Sequence, residues 1–251
     1  MSAPRKQRLD ITLLERQLAD SREKAQALIL AGQVTVNGQR IDKPGQSVEA
    51  EVRIEVAQPL KYVSRGGLKL EAALEQFRIS AKNRVCMDVG TSTGGFTDCL
   101  LQNGALRVHA VDTGAGQIDW RLRNNPQVIL HERVNARYLT FDEIGELIDV
   151  IACDVSFISV TLLISALAPL LARGGDWIVL VKPQFEVGRE RVGKGGIVSD
   201  PASHQLACDK VAAALAAAGF ASERIESPIL GAEGNREFLL HARSAAESES
   251  S

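Results

Sequence analysis

The chain has 251 residues, of which 45 % are hydrophobic and 24 % charged, with a formal net charge of −2. That is enough apolar material for one large core plus a small second unit, and too little positive charge for a protein that coats nucleic acid indiscriminately. The charge is uneven: residues 1–65 hold eleven Lys/Arg against eight Asp/Glu, a balance of +3 that leaves −5 for the remainder. A mildly basic N-terminal module on an acidic body hints at a polyanionic partner. The four cysteines (Cys86, Cys99, Cys153, Cys208) form no CxxC pair, so neither a metal site nor a disulfide framework is implied. The first thirty residues are too charged for a signal peptide, and no apolar run approaches the roughly 20 residues that span a bilayer. The expectation is a soluble, cytoplasmic protein without metal.

In chain order, Leu9, Leu13, Leu14 and Leu18 recur at helical spacing, as do Ala25, Leu28 and Ile29. Asp20 or Ser21 is placed to cap the second helix and Gly32 to stop it. VTVNGQRI (34–41) alternates around an Asn-Gly turn, and VRIEV (52–56) supplies another strand. Two short helices and a small hairpin sheet make a unit of about 1–60. Residues 61–66 read as a linker whose conformation should matter to both modules it joins.

From residue 67 the pattern changes. A helix near 67–77 precedes strands near 84–89, 106–112, 127–131, 148–154 and 175–182. Ala-rich helices are expected near 159–172 and 203–218, and two last strands near 221–228 and 236–243. Strands alternating with helices mean an α/β, Rossmann-like parallel sheet over 67–244, covered on both faces. Such sheets bind ligands at the carboxyl ends of their strands. The tail 245–251 is low-complexity and expected to be disordered.

CMDVGTSTGGF (86–96) is a strand, an acid, a glycine-rich turn and a helix start. The spacing fails the dinucleotide fingerprint, because Gly90 is followed by glycine only at 94 and 95. GRERVGKG (188–195) approaches a phosphate loop, but Gly195 replaces the hydroxyl that would meet magnesium and no helix follows. S-adenosylmethionine fits better: its amino-acid end can lie in the turn formed by Gly90 and Gly94, Asp88 can meet its ammonium, and Asp112 can accept from its ribose hydroxyls. The competing reading is a structural glycine turn without ligand.

DWIVLVKPQFE (176–186) is an apolar run that ends in Lys182, and Asp154 follows the preceding strand IDVIAC (148–153). In a parallel sheet both point into the ligand edge. A lysine amine with its charge disfavoured by apolar surroundings can act as a base towards a ribose hydroxyl. An ion pair that merely holds two strand ends together is the other reading. Lys69 and Glu237, taken singly, look like ordinary surface charges.

YVSRGGLKL, DVGTSTGGFTDCLL, DVSFIS, VKPQFEVG and GNREF together resemble the TlyA family of ribosomal-RNA 2′-O-methyltransferases, related to the FtsJ-type ribose methylases. The resemblance covers nearly the whole chain. It implies a catalytic tetrad of Lys69, Asp154, Lys182 and Glu237, with Lys182 as general base, Asp154 and Lys69 tuning it, and Glu237 holding the ribose. It extends the S-adenosyl-L-methionine site from Asp88, Gly90, Gly94 and Asp112 to Ser92, Gly95, Phe96, Asn135 and Asp154. The N-terminal unit is similar to the small RNA-binding domain of ribosomal small-subunit protein four, where Arg8, Arg16, Ser21, Arg22, Lys24 and Gln26 would contact RNA. Arg65 joins them from the second module. The implied partner is ribosomal RNA or a ribosomal subunit, methylated at cytidines. Aromatic content of 4 % makes phosphates and shape the main recognition, rather than stacking. Rival readings are a non-catalytic RNA-binding assembly factor, and the membrane-active protein that the family's haemolysin label would suggest.

Overall fold

The computed structural model describes residues 6–49, 51–56, 60–231 and 233–244; the expected disordered tail lies outside them. The chain divides into two compact units, Met1–Leu60 and Lys61–Ser251.

In the first unit β1 (Lys6–Arg8) leads into α1 (Leu9–Glu15) and α2 (Arg22–Leu30), followed by β2 (Val34–Val36), β3 (Gln39–Arg40), β4 (Ser47–Glu49) and β5 (Ile54–Val56). β2 lies between β3 and β5, and β1 pairs with β4. Asn37 and Gly38 both take positive φ, 51° and 79°, the turn geometry that matches strand twist in a two-residue hairpin. Ser21 is the cap of α2, its Oγ accepting from Lys24 N–H at 3.2 Å. Leu9, Leu13, Ala25, Ile29 and Val34 are fully enclosed and form the core.

The second unit runs α3 (Gly66–Gln76), β6 (Val85–Val89), α4 (Gly95–Gln102), β7 (Arg107–Asp112), α5 (Trp120–Arg123), β8 (Val128–Glu132), α6 (Phe141–Ile144), β9 (Ile148–Cys153), α7 (Ile164–Leu167), β10 (Leu171–Val181), α8 (Pro183–Glu186), α9 (Pro201–Ala217), β11 (Phe220–Glu226) and β12 (Phe238–Ser244). Its seven strands are ordered β11-β12-β10-β9-β6-β7-β8. The five strands β10, β9, β6, β7 and β8 are parallel, whereas β12 is antiparallel to both β10 and β11. This departs from an all-parallel sheet, and it brings the start of β12 to the edge where β10 ends. The chain leaves β6 in opposite directions, to β7 on one side and β9 on the other, which opens a crevice at their carboxyl ends.

Alternate residues feed two cores. Met87, Val89, Ile151 and Trp177 pack with Leu163, Leu167, Val211 and Leu215 on one face. Cys86, Val150, Ile178 and Leu180 pack with Leu70, Ala73 and Leu100 of α3 and α4 on the other. One expectation changes. The helix expected over 159–172 is broken into 3-10 turns on either side of α7. Pro169 lacks the N–H that a continuous helix would need there. In the expected linker 61–66, Tyr62 is buried, its hydroxyl donates to Glu71 Oε1 at 2.9 Å, and Val63 N–H donates to Asp98 Oδ2 at 2.8 Å.

Candidate active site

The turn after β6 is shaped by what it must approach. Gly90 has φ +89°, and a Cβ there would lie 2.3 Å from the carbonyl oxygen of Asp154 on the neighbouring strand end. Gly94 has φ +95°, and its Cβ would lie 2.4 Å from Leu122 Cδ1. Only glycine meets both demands at either position. Asp112, ending β7, accepts Ser92 N–H at 2.7 Å and Gly114 N–H at 2.6 Å, one on each carboxylate oxygen. The acid thereby ties two loops together and keeps lone pairs in reserve.

A cavity of about 300 Å³ opens at this crevice. Gly90, Ser92, Asp112, Asn135 and Asp154 line it, together with Gln117, Ser156 and Phe157. Its size lies at the lower end of small-molecule sites, roughly 300–1,000 Å³. Asp88, Gly94, Gly95 and Phe96 are not among its lining residues. Asp88 is fully buried, and its Oδ2 accepts both Thr97 N–H (2.9 Å) and Thr97 Oγ–H (2.6 Å). Burial pushes its carboxyl up to about 7. Through Oδ2 the carboxyl clamps the start of α4, while its buried Oδ1 has no hydrogen-bond partner among the described residues. Gly95 and Phe96 serve packing: a Cβ on Gly95 would lie 2.2 Å from Ser64 Oγ, and Phe96 is buried against Gly66.

Beside the cavity stand two ion pairs. Lys182 Nζ lies 2.5 Å from Asp154 Oδ1 and donates to Ser156 Oγ at 2.8 Å. The expectation of an amine in apolar surroundings is corrected here, because Lys182 has a carboxylate and a hydroxyl as neighbours. Lys69, from α3, pairs with Glu237, and both are buried, at 8 % and 3 % exposure. Glu237 sits one residue beyond the last strand register, Val181↔Phe238, so it is the cross-strand neighbour of Lys182. The antiparallel return of β12 is what brings the two pairs to one edge. The surface-charge reading of Lys69 and Glu237 fails for the same reason.

Glu186 was not anticipated. It is 6 % exposed, accepts Val160 N–H at 2.8 Å and Ser159 Oγ–H at 2.5 Å, and pairs with Lys210 at 3.1 Å. It thus connects α8, directly after Lys182, to the segment that carries Asp154 and Ser156. At mid-sheet, Asp176 is bound by Arg84, His241 and Arg243. Burial alone would raise its carboxyl, but these donors prevail and hold it well below the usual carboxylate range. Its partners are 65 residues or more away in sequence, so no local pattern signals the cluster.

In the first unit, the fully buried Asp10 organises several of the expected RNA contacts. Arg8, Arg22 and Gln26 all donate to it, at 2.9, 3.1 and 2.9 Å. The Arg8 guanidinium above all holds Asp10 well below the ordinary carboxylate range. Arg8 and Arg22 keep about half of their side-chain surface exposed, 46 % and 50 %. Arg16 Nη1 donates to Val52 O at 2.7 Å, and Lys24 is exposed. Ser21 is occupied as the cap of α2, and Arg65, in the second unit, donates to Leu230 O at 3.2 Å.

The model of the FtsJ-like methyltransferases matches residues 62–244, and that of the S4 domain matches residues 7–54. The chain belongs to the FtsJ-like methyltransferase family. Within that family it is of the TlyA type, with an S4 domain ahead of the methyltransferase domain. YqxC of Bacillus subtilis, provisionally named an rRNA methyltransferase, is 49 % identical over 240 residues, 94 % of this chain and 85 % of that one. The 16S/23S rRNA (cytidine-2′-O)-methyltransferase TlyA of Mycobacterium tuberculosis is 42 % identical over 246 residues, 97 % of this chain and 92 % of its own. A solved structure from Streptococcus thermophilus that carries a hemolysin label superposes with a TM-score of 0.73 at 42 % identity, covering 97 % of this chain and 90 % of that one. As to that label, no helix among the described residues is long and apolar enough to cross a membrane.

Proposed function

We propose that this FtsJ-like methyltransferase transfers the methyl group of S-adenosylmethionine to a ribose 2′-hydroxyl of ribosomal RNA in the cytoplasm, at cytidine as in the M. tuberculosis relative's name. The observation that carries this reading is Lys182, joined through Asp154 and Ser156 to the wall of the 300 Å³ cavity.

Gly90, Ser92, Asp112, Asn135 and Asp154 would hold the cofactor. Asp112 has lone pairs left for ribose hydroxyls, and the bare Gly90 lets a ligand approach the backbone. S-adenosylmethionine supplies a sulfonium-bound methyl carbon that is already electrophilic, so the protein has only to align the hydroxyl oxygen and remove its proton. Lys182 Nζ is the group placed to take that proton once it has released its own, and Asp154 fixes its position. Lys69 and Glu237 keep each other's charge satisfied out of water, and Glu237 orients the ribose beside Lys182. The S4 domain, with Arg8, Arg16, Ser21, Arg22, Lys24 and Gln26, brings RNA through phosphate contacts that position it without reading sequence.

Mapping 2′-O-methyl groups in ribosomal RNA with and without the protein, together with a calorimetric titration of S-adenosylmethionine, tests the reading. Methyl groups that appear only with the protein and cofactor support it. RNA binding without cofactor binding would identify an assembly factor instead.

A further inference from the structure

We propose that the glycine-rich loop 188–198 of the methyltransferase domain is a second RNA-backbone contact, which grips phosphates next to the target ribose. This rests on the functional reading above, and adds to the S4 domain a contact at the catalytic edge itself.

The loop follows β10 and α8, and its sequence, GRERVGKGGIV, carries Arg189, Arg191 and Lys194 against one acid, Glu190. All three cations are exposed. Arg191 donates to Ser203 Oγ at 3.3 Å, whereas Arg189 and Lys194 have no ion-pair partner among the described residues. Three acids lie near them. Asp200 caps α9 by accepting from Ala202 and Ser203 N–H. Glu190 is folded back over Gly188, and Glu233 lies beside Gly196. The loop's own charge is therefore net positive, three exposed cations against Glu190.

Exposed cations alone would be a solvated face. The second observation is how firmly the loop is built into the site. Asn235, 1 % exposed, accepts Val198 N–H at 2.9 Å and donates to Gly196 O at 2.9 Å. The His204 ring nitrogen Nε2 meets Val198 O at 2.7 Å, and Gly193 N–H donates to Ile197 O at 2.9 Å. Gly195 and Gly196 take φ of +75° and +78°, so the loop reverses sharply and presents Lys194 at its tip. Asn235 is two residues before Glu237, and its carbonyl accepts Gly231 N–H at 2.9 Å. The adjoining carbonyl, Leu230 O, holds Arg65. Leu230, Gly231 and Asn235 thus tie Arg65 and the base of the basic loop to the stretch that leads into Glu237.

Such pre-ordering removes much of the entropy cost that a flexible basic loop incurs on binding. Phosphate is the ligand chemistry that fits: three exposed cations on a loop, GRERVGKGGIV, that carries no aromatic residue. Each neutralised phosphate releases counterions, so the loop should contribute to the salt dependence of binding by about one unit of slope per cation.

The test uses the full chain and the double variant Arg189→Gln/Lys194→Gln, with Arg189→Lys/Lys194→Arg as the charge-conserving control. Single-turnover methylation is followed against ribosomal-subunit concentration at several salt concentrations, with S-adenosylmethionine affinity measured by calorimetry. The glutamine variant should keep the cofactor affinity and the rate at saturating RNA. Its half-saturating RNA concentration should rise about 10-fold, and the slope of log affinity against log salt should flatten by about 2. The control should behave as the parent. Unchanged RNA affinity and slope in the glutamine variant would overturn the assignment of the loop, as would a loss that follows a fall in cofactor affinity or melting temperature. A parent chain that methylates no ribosomal RNA would instead overturn the functional reading, and this inference with it.

Discussion

Lys182 Nζ stands 2.5 Å from Asp154 Oδ1, so one ion pair joins the ends of the adjacent parallel strands β10 and β9 beside the cavity. A base and a strand clamp would use the same geometry, and arginine separates them. Lys182→Ala should keep S-adenosylmethionine and RNA binding yet lose methyl transfer by roughly 10²-fold or more. Lys182→Arg should fail as well, because a guanidinium keeps the ion pair but cannot give up its proton at working pH. Single-turnover rates with binding measured alongside decide the matter; an active Lys182→Arg enzyme would place the base elsewhere.

Glu186 holds that geometry from the far end of α8. Glu186→Gln keeps an oxygen acceptor for Val160 N–H or Ser159 Oγ–H but loses the pair with Lys210 and the second acceptor oxygen. A drop in kcat of about 10-fold with little change in RNA affinity is expected, along with a stability loss of about 1–3 kcal/mol. Lys210→Met removes only the cation and should retain more activity. If Glu186→Gln lowers the melting temperature while the rate below the melting transition matches the parent, Glu186 acts on stability alone.

Much of this architecture is legible in the sequence, and the reasons are local. β6, β7 and β9 read as short apolar runs because both of their faces are buried, and Asn37-Gly38 reads as a hairpin because few other pairs take two positive φ angles. The glycine spacing after Asp88 is also a local signal. Pairing across the chain is not. Lys69 and Glu237 meet over 168 residues, and only the antiparallel return of β12 buries them together. Asp10 looks like a first-turn acid on α1, yet it is the buried hub for Arg8, Arg22 and Gln26. Asp88 precedes the turn as a cofactor-binding acid would, but its side chain alternates inward and is claimed by Thr97.

Asp88 makes stability depend on pH. Burial raises its carboxyl from an ordinary 3.8 to about 7 in the folded chain. A group raised on folding contributes stability that is fully present below pH 3.8 and lost as pH rises through 7. At higher pH the fold carries an ionised buried group at a cost on the order of 4 kcal/mol. Asp88→Asn retains an oxygen acceptor for Thr97 and removes the titration. Relative to the parent, the variant should therefore gain stability between about pH 4 and pH 7. Denaturant melts at pH 5 and pH 8 measure this, and an equal difference between variant and parent at the two values would contradict it.

Tyr62 tests whether the segment between the domains is a linker or part of the second unit. Its ring is 3 % exposed and packs so closely on Gly67 that a Cβ there would lie 2.3 Å from Tyr62 Cγ, and its hydroxyl donates to Glu71. Tyr62→Phe keeps the ring and loses one hydrogen bond, a cost of about 1 kcal/mol. Tyr62→Ala empties the site beneath α3, and large-to-small changes of this kind cost about 3–5 kcal/mol. A matching fall in the melting temperature of the methyltransferase unit should appear for Tyr62→Ala and hardly at all for Tyr62→Phe. Methylation by Tyr62→Ala should be weak near its melting transition and recover on cooling, because the defect is in the folded fraction. Recovery of parental activity at low temperature confirms a structural ring. A Tyr62→Ala protein that melts as the parent does but methylates slowly at every temperature would mean that Tyr62 acts in RNA or cofactor binding directly.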